Sequence, residues 1–92
     1  MITAFLLVLC EPKHIASVAQ GLADIDGVAE VYTTTGSADF IAIVRVIDLD
    51  ALATLVTENV AVLPGITRTD THLAIRSWGN SDRAVAFDIG VD

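Results

Sequence analysis

The chain has 92 residues, of which 53% are hydrophobic and 18% are charged, a length and composition that suit one small folded domain and exclude a disordered chain. The formal net charge is -7, from 12 acidic and 5 basic residues. Because phosphate contacts need clustered lysine and arginine side chains, this balance argues against direct binding of nucleic acid.

The cellular compartment is indicated by the single cysteine and by the first residues. Cys10 has no partner for an internal disulfide, which is typical of a reducing compartment. The apolar opening, residues 1–10, has no basic start and is followed at once by Glu11 and Pro12. We therefore predict neither a signal peptide nor a membrane span, and we expect a cytoplasmic protein.

The first two predicted elements are a strand and a helix. Residues 2–10 predict a strand that is apolar on both faces, as in the middle of a sheet. After Pro12, which suits the first turn of a helix, apolar residues recur at helical spacing. They are Ile15, Val18, Ala19 and Leu22. Asp26-Gly27 ends this segment and turns the chain.

A hairpin follows. Residues 28–35 favour a second strand, and Glu30 with its neighbouring threonines indicates an edge position. The short turn of residues 36–39 leads into a third strand, residues 40–47, which is again apolar on both faces apart from Arg45. Two strands joined by a short turn that contains glycine predict a β-hairpin.

The last two predicted elements are a second helix and a fourth strand. Asp48 or Asp50 can cap the helix, and Pro64-Gly65 ends it. Its apolar stripe consists of Leu52, Leu55, Val56, Val60 and Leu63. Residues 66–77 predict a strand with two different faces. One face has Thr67, Thr69, Thr71, Leu73 and Ile75, and the other has Arg68, Asp70, His72 and Arg76. This mixture indicates a second edge strand.

The order strand–helix–strand–strand–helix–strand predicts an α+β, ferredoxin-like βαββαβ sandwich over residues 1–78. Right-handed crossovers place the first and third strands in the middle of the sheet. Two helices cover one face of the sheet, and we expect the sheet of a second copy to cover the other, which gives a dimeric α/β barrel. Residues 79–92 are predicted to be a C-terminal tail. The sequence leaves two possibilities for this tail: residues 84–89 form an extra strand over a neighbouring subunit, or the tail is a frayed end.

Several segments, in order, resemble the ligand-binding domain of the Lrp/AsnC transcriptional regulators. They are Asp26-Gly27-Val28 with Val31-Tyr32, Thr35-Gly36-Ser37-Ala38-Asp39-Phe40, and Leu63-Pro64-Gly65-Ile66-Thr67-Arg68-Thr69. The resemblance implies homodimers that assemble into rings of dimers. It also implies a small effector, usually an amino acid, bound between the dimers. Full-length members begin with a helix-turn-helix, which this sequence does not contain, so the resemblance implies a stand-alone sensor without a DNA reader.

The resemblance also implies the ligand-binding residues, which are Gly36, Ser37, Ala38, Asp39, Thr69 and Thr71. Backbone N–H groups around a glycine can converge on a carboxylate, and a carboxylate such as Asp39 can accept an ammonium. The two threonine hydroxyls point to the same side of a strand. Glycine and aspartate are also common in ordinary hairpin turns, and threonine is common in edge strands, so these residues can be present without a role in binding. The family often has an aromatic residue where Ala38 stands, and its loss removes a wall of the site.

No residue pattern indicates catalysis, a metal or a cofactor. His14 and His72 are far apart in sequence, and no His/Cys spacing suits zinc. Three other functions stay open. They are a small dimeric α/β-barrel enzyme, an ACT-like regulatory module, and an assembly partner that co-oligomerises with full-length Lrp/AsnC regulators and binds no small molecule. The uniformly aliphatic inward positions disfavour the enzyme.

Overall fold

The computed structural model describes residues 1–79. Within them lie four strands and two helices: β1 (Ile2–Cys10), α1 (Ile15–Ala23), β2 (Val28–Thr33), β3 (Phe40–Val46), α2 (Leu49–Thr54) and β4 (Ile66–Leu73). A 3₁₀ turn at Pro12–His14 precedes α1, and a π-helical segment, Leu55–Val60, continues α2. The predicted tail strand at residues 84–89 falls outside the described residues.

The sheet has the order β2-β3-β1-β4, and every neighbouring pair is antiparallel. The ferredoxin-like α+β fold is therefore confirmed, with β1 and β3 in the middle as their two apolar faces predicted. Both helices pack on one face of this sheet. The core between them consists mainly of Ala4, Leu6, Val8, Phe40, Ala42, Val44, Val18, Leu22, Leu52, Leu55 and Val60, all buried.

The N-terminus of α2 is capped by Asp48 and not by Asp50. The Asp48 Oδ1 atom accepts a hydrogen bond from the backbone N–H of Ala51 over 2.8 Å. Such a cap typically stabilises a helix by about 1 kcal/mol. Further along, the backbone widens into the π-helical segment, although the apolar residues of the predicted stripe still face the core.

Three predicted strands are longer than the observed ones. The third is longer by one residue, since β3 ends at Val46, and the second and fourth are longer by more. β2 ends at Thr33, where the chain enters the turn, and the N–H of Thr34 donates to the carbonyl of Asp39 across that turn. β4 ends at Leu73 and not at residue 77, because its partner β1 has only a few residues left to pair: Ala4 is opposite Leu73, and the N–H of Ala74 donates to the Thr3 carbonyl.

Candidate functional site

The face of the sheet opposite the helices, called here the open face, is not covered by other described parts of the chain. Its centre is apolar and partly exposed, and its rim is polar. The central residues are Phe5, Leu7 and Leu9 of β1 with Ile41 and Ile43 of β3. The rim is formed by Glu30 and Tyr32 of β2, by Thr3 and Arg45, and by Arg68, Asp70 and His72 of β4. An apolar centre within a polar rim is typical of an interaction surface.

A β-bulge in β4 decides which of its residues reach the open face. Leu9 pairs with Arg68, but the next residue of β1, Cys10, pairs with Ile66. Thr67 is therefore the extra residue, and the bulge lets Ile66 pack against the core while Arg68 lies on the open face. Beyond the bulge, Arg68, Asp70 and His72 share the open face, as the alternation of the sequence predicted.

A small cavity of about 150 Å³ lies on the open face, where the turn of residues 36–39 approaches β4. Leu7 and Leu9 form its apolar part, and Ser37 and Ala38 border it from the turn. Arg68 and Asp70 border it from β4. The turn and the edge strand, which the resemblance assigns to ligand binding, thus meet at one cavity.

The turn is held by hydrogen bonds to its own backbone and to β1. The Thr34 hydroxyl donates to the carbonyl of Ala38 over 3.0 Å, and the Asp39 N–H donates to the carbonyl of Val8 over 2.9 Å. Gly36 has a φ of 100°, which favours glycine, and no heavy atom lies within 4 Å of the place where a Cβ would be. The turn therefore presents Ser37 and Ala38 from a fixed backbone.

Asp39 has a structural contact at the end of β1. Its Oδ2 atom accepts a hydrogen bond from the backbone N–H of Cys10 over 3.0 Å. Burial raises the pKa of the Cys10 thiol, and the negative charges of Asp39 and Glu11 add to the effect. The thiol therefore stays protonated and unreactive at neutral pH, as expected of a small buried residue.

The predicted ligand-binding residues separate into two groups. Ser37 and Ala38 border the cavity, with Gly36 and Asp39 beside them in the turn. Thr69 and Thr71 pair with Val8 and Leu6, so they lie on the face of the sheet on which the helices pack. The other cavity residues were not predicted from the sequence to belong to a site; they are Leu7, Leu9, Arg68 and Asp70. The alternation within β4 predicted that Arg68 and Asp70 share one face of the strand. It did not predict that this face meets the turn of residues 36–39.

Asp70 has a further neighbour on the rim. The Nε2 atom of His72 lies 3.0 Å from the Asp70 Oδ2 atom, and both side chains are more than half exposed. At the opposite edge, the Tyr32 hydroxyl donates a hydrogen bond to the Glu30 carboxylate, which raises the pKa of the Tyr32 phenol. The rim thus has paired polar groups on both edge strands.

Two further concave regions lie elsewhere on the described part of the chain. A groove at the far end of the open face is bordered by Phe5, Arg45 and residues 74–77. A shallow depression near the start of α2 is bordered by Asp26, Asp48 and Asp50. Within residues 1–79, no three His, Cys, Asp or Glu side chains are grouped as metal ligands would be. None of the helices in that range is long and apolar enough to span a membrane.

Residues 3–83 match the family model described as the Lrp/AsnC ligand binding domain. The chain belongs to this family. The match covers all of the sheet except Ile2, both helices, and the turn and edge strand that meet at the cavity. The expectation drawn from the resemblance is therefore confirmed at the level of the family and the fold.

This Lrp/AsnC domain is similar both to proteins of about its own length and to longer proteins. It is 31% identical over 80 residues to an uncharacterised HTH-type transcriptional regulator of Pyrococcus abyssi, covering 85% of this chain and 51% of the relative. The chain thus spans about half the length of that relative. A solved protein of Thermus thermophilus is 38% identical, with a TM-score of 0.84 over 87% of this chain and 100% of that one.

A third comparison concerns a protein with a ligand. A Neisseria meningitidis transcriptional regulator, solved as its L-Met complex, has a TM-score of 0.77 over 86% of this chain and 53% of its own. At an identity of 16%, this likeness concerns the fold alone.

Proposed function

We propose that this Lrp/AsnC domain is a stand-alone, non-enzymatic sensor that binds an amino acid within a homo-oligomer and modulates transcription indirectly, without contacting DNA itself. One observation supports the proposal above all. The turn of residues 36–39 and the edge strand β4, two parts of the chain that are distant in sequence, border one cavity at the rim of an uncovered apolar sheet face.

The open face supports the proposed homodimer. Phe5 is 40% exposed, and Leu7, Leu9, Ile41 and Ile43 are only partly buried. Covering such a face with the same face of a second copy removes apolar area from water on both chains, at about 25 cal/mol for each Å². The polar rim can then form the border of the interface. Contacts between such dimers would build the larger ring.

The turn residues Gly36, Ser37, Ala38 and Asp39 form the ligand-facing side of the site in this proposal. The L-Met complex of the Neisseria regulator shows that a protein with this fold can hold an amino acid. Thr69 and Thr71 are proposed as further contacts. They lie on the other face of β4, so they would reach a ligand between dimers only around the strand edge.

The proposal that the effect on transcription is indirect rests on the net charge of the chain. With a net charge of -7, this chain is poorly suited to hold DNA phosphates. A regulatory signal would therefore pass to DNA through another protein in the cytoplasm. Full-length Lrp/AsnC regulators are the proposed partners, because the curated relatives are HTH-type regulators with this domain over about half of their length.

Two measurements on the purified chain test the proposal. In a thermal-shift screen against the twenty amino acids, we expect one or a few to raise the melting temperature, since a ligand that binds only the folded state stabilises it. Light scattering should give a mass of a dimer or a multiple of it. A monodisperse monomer would contradict the homodimer. A dimer that responds to no amino acid would instead favour the role of an assembly partner.

A further inference from the structure

We propose that residues 84–92 bind in the groove at the far end of the open face of the same chain, with their apolar side chains on its floor and Asp88 and Asp92 beside its two arginines. The proposal goes beyond the sensor function. This groove and the cavity beside the turn of residues 36–39 have no lining residue in common, so the two sites can be tested separately.

The groove is apolar, with two positive charges at its border. It lies where β1 begins and β4 has ended, and its volume is about 720 Å³. Its apolar lining residues are Met1, Ile2, Phe5, Ala74 and Ile75. Arg45 and Arg76 are its charged residues, and no carboxylate among residues 1–79 borders it. A segment with apolar side chains and negative charges is therefore complementary to this groove.

Both arginines are exposed, and no ion pair among residues 1–79 includes either of them. The Arg76 guanidinium lies over the Trp78 ring, 5.6 Å from its centre, and Trp78 is 84% exposed. Ile75, which lines the groove, is 91% exposed. A segment bound in the groove would cover these apolar side chains and remove their area from water, which is favourable.

Residues 84–92 have the complementary composition. Their sequence, AVAFDIGVD, contains two carboxylate side chains and no basic residue. In an extended segment every second side chain lies on the same side. The apolar side would then consist of Val85, Phe87, Ile89 and Val91. Asp88 and Asp92 would lie on the other side, where the long side chains of arginines at the border can reach them.

The chain is long enough to place this segment in its own groove. Residues 74–77 form one border of the groove, and the described chain ends two residues later, at Gly79. The connection of residues 80–83 lets Ala84 lie at most about 17 Å from Gly79. The segment therefore begins within reach of the border formed by its own chain.

The spacing of the two carboxylates suits the spacing of the two arginines. Arg45 belongs to β3 and Arg76 follows β4, and these strands lie on opposite sides of β1. Two strand spacings, about 10 Å, separate their backbones. Asp88 and Asp92 are four residues apart, which is about 13 Å in an extended segment. A segment that crosses the groove from the β4 side would bring Asp88 to Arg76 and Asp92 to Arg45.

The segment lies outside the part of the chain that matches the family. That match ends at residue 83, and the Thermus thermophilus protein is covered completely by 87% of this chain. Binding of residues 84–92 in the groove would therefore be a property of this chain, and not of the shared ligand-binding domain. It would cover an apolar and basic surface beside the proposed dimer interface.

Trp78 is the only tryptophan of the chain and lies beside the groove, so its fluorescence provides the test. Emission and quenching by acrylamide would be measured on the full-length wild type, on Phe87→Ser and on the matched control Val62→Ser. Val62 is 67% exposed and precedes β4, whose first residue pairs with the end of β1 remote from the groove. Phe87→Ser should shift the emission to longer wavelength and increase quenching, whereas Val62→Ser should behave as wild type.

A charge exchange tests the ionic contacts. Asp92→Lys should weaken binding of the segment by up to about fivefold, as expected for the loss of an exposed ion pair, and quenching should increase accordingly. Adding Arg45→Glu, which leaves the contact between Arg76 and Trp78 intact, should return quenching toward the wild-type value. Glu58→Lys makes the same change of charge at an exposed position of the π-helical segment and should have no effect. Circular dichroism would show that the variants are folded.

A mixing experiment distinguishes the same chain from a second copy. Phe87→Ser, which keeps Trp78, would be unfolded and refolded with an excess of Trp78→Phe, which has an intact segment and no tryptophan. We expect Trp78 to remain as strongly quenched in the mixture as in Phe87→Ser alone. Recovery of protection would show that the segment binds to a second copy and would overturn the proposal for the same chain.

The remaining outcomes are equally decisive. Equal emission and quenching of wild type and Phe87→Ser would overturn the proposal, whether Trp78 is exposed or covered in both. An increase in Phe87→Ser without recovery by the charge exchange would overturn the ionic contacts and leave the apolar ones. None of these results depends on an amino acid ligand, so the sensor function is tested separately.

Discussion

The Asp39 carboxylate accepts a hydrogen bond from the backbone N–H of Cys10, with 3.0 Å between Oδ2 and the nitrogen. This contact joins the turn beside the cavity to the end of β1, although the two residues are 29 positions apart. Asp39 therefore has a structural role that the resemblance alone did not indicate. Any effect of an Asp39 substitution on ligand binding must be separated from an effect on the turn.

We predict that Asp39→Ala lowers the free energy of unfolding by about 1–3 kcal/mol, because it leaves a partly buried N–H without an acceptor. Asp39→Asn retains an oxygen at the same place and should restore most of the loss. Urea denaturation of both variants provides the check. Equal stability of the two would show that the Cys10 contact contributes little. The asparagine variant is then the appropriate one for measuring the contribution of the Asp39 charge to binding.

A charge in the middle of the open face should prevent dimerisation. Ile43→Lys would place an ammonium among apolar residues of the proposed interface, and we expect the dimer dissociation constant to rise at least about a hundredfold. Light scattering across a dilution series measures it. Ala16→Lys, at an exposed position on α1, introduces the same charge away from this face and should leave the mass unchanged. If both variants had the wild-type mass, the interface would lie elsewhere.

The buried thiol predicts an alkaline loss of stability. The pKa of Cys10 is raised above its ordinary value of 9.0, so the unfolded chain loses the thiol proton at a lower pH than the folded chain. Its contribution is complete below pH 9.0 and is lost as pH rises through the folded-state pKa. Urea denaturation at a series of pH values should show a shallower alkaline decline for Cys10→Ala than for wild type. Tyr32, whose pKa is also raised, would contribute equally to both, so parallel curves would rule out Cys10 as a source.

Two glycines with the same backbone geometry should respond differently to alanine. Gly36 and Gly65 have φ values of 100° and 97°, and alanine in this region costs about 1–2 kcal/mol in strain. At Gly36 the added Cβ meets nothing within 4 Å, whereas at Gly65 it would lie 2.4 Å from the His14 Cβ. Thermal or urea unfolding should therefore show a larger loss for Gly65→Ala. A larger loss for Gly36→Ala would indicate that the turn makes contacts beyond those described.

The fold was largely predictable because its central strands are unusual in composition. β1 and β3 are apolar on both faces, which fixed their central places, and β1 has the predicted bounds of residues 2–10. The π-helical segment after α2 was not predictable. Leu55 and Val60 are five residues apart and both buried, but apolar residues at the neighbouring helical positions give the same pattern as a regular helix.

The site was predictable only in part. The turn came from the resemblance, and the alternation in β4 separated Arg68 and Asp70 from the threonines. Which face of β4 meets the turn depends on the pairing of β4 with β1 and on the bulge at Thr67. Neither of these is encoded in a local sequence pattern. Ser37 and Arg68 are 31 residues apart in sequence and approach each other only after three strands have paired.

The bulge at Thr67 also determines where β4 can change its length. Deleting Thr67 would leave Ile66 opposite Cys10 and Arg68 opposite Leu9, so all the other pairs of the strand would keep their partners. Removing any residue from 69 to 72 would instead shift the following side chains to the other face, because strand residues alternate. Among proteins with this domain, gains and losses of single residues in the last strand should therefore concentrate at this position. An alignment that places such gaps further along the strand would misassign which of its side chains lie on the open face.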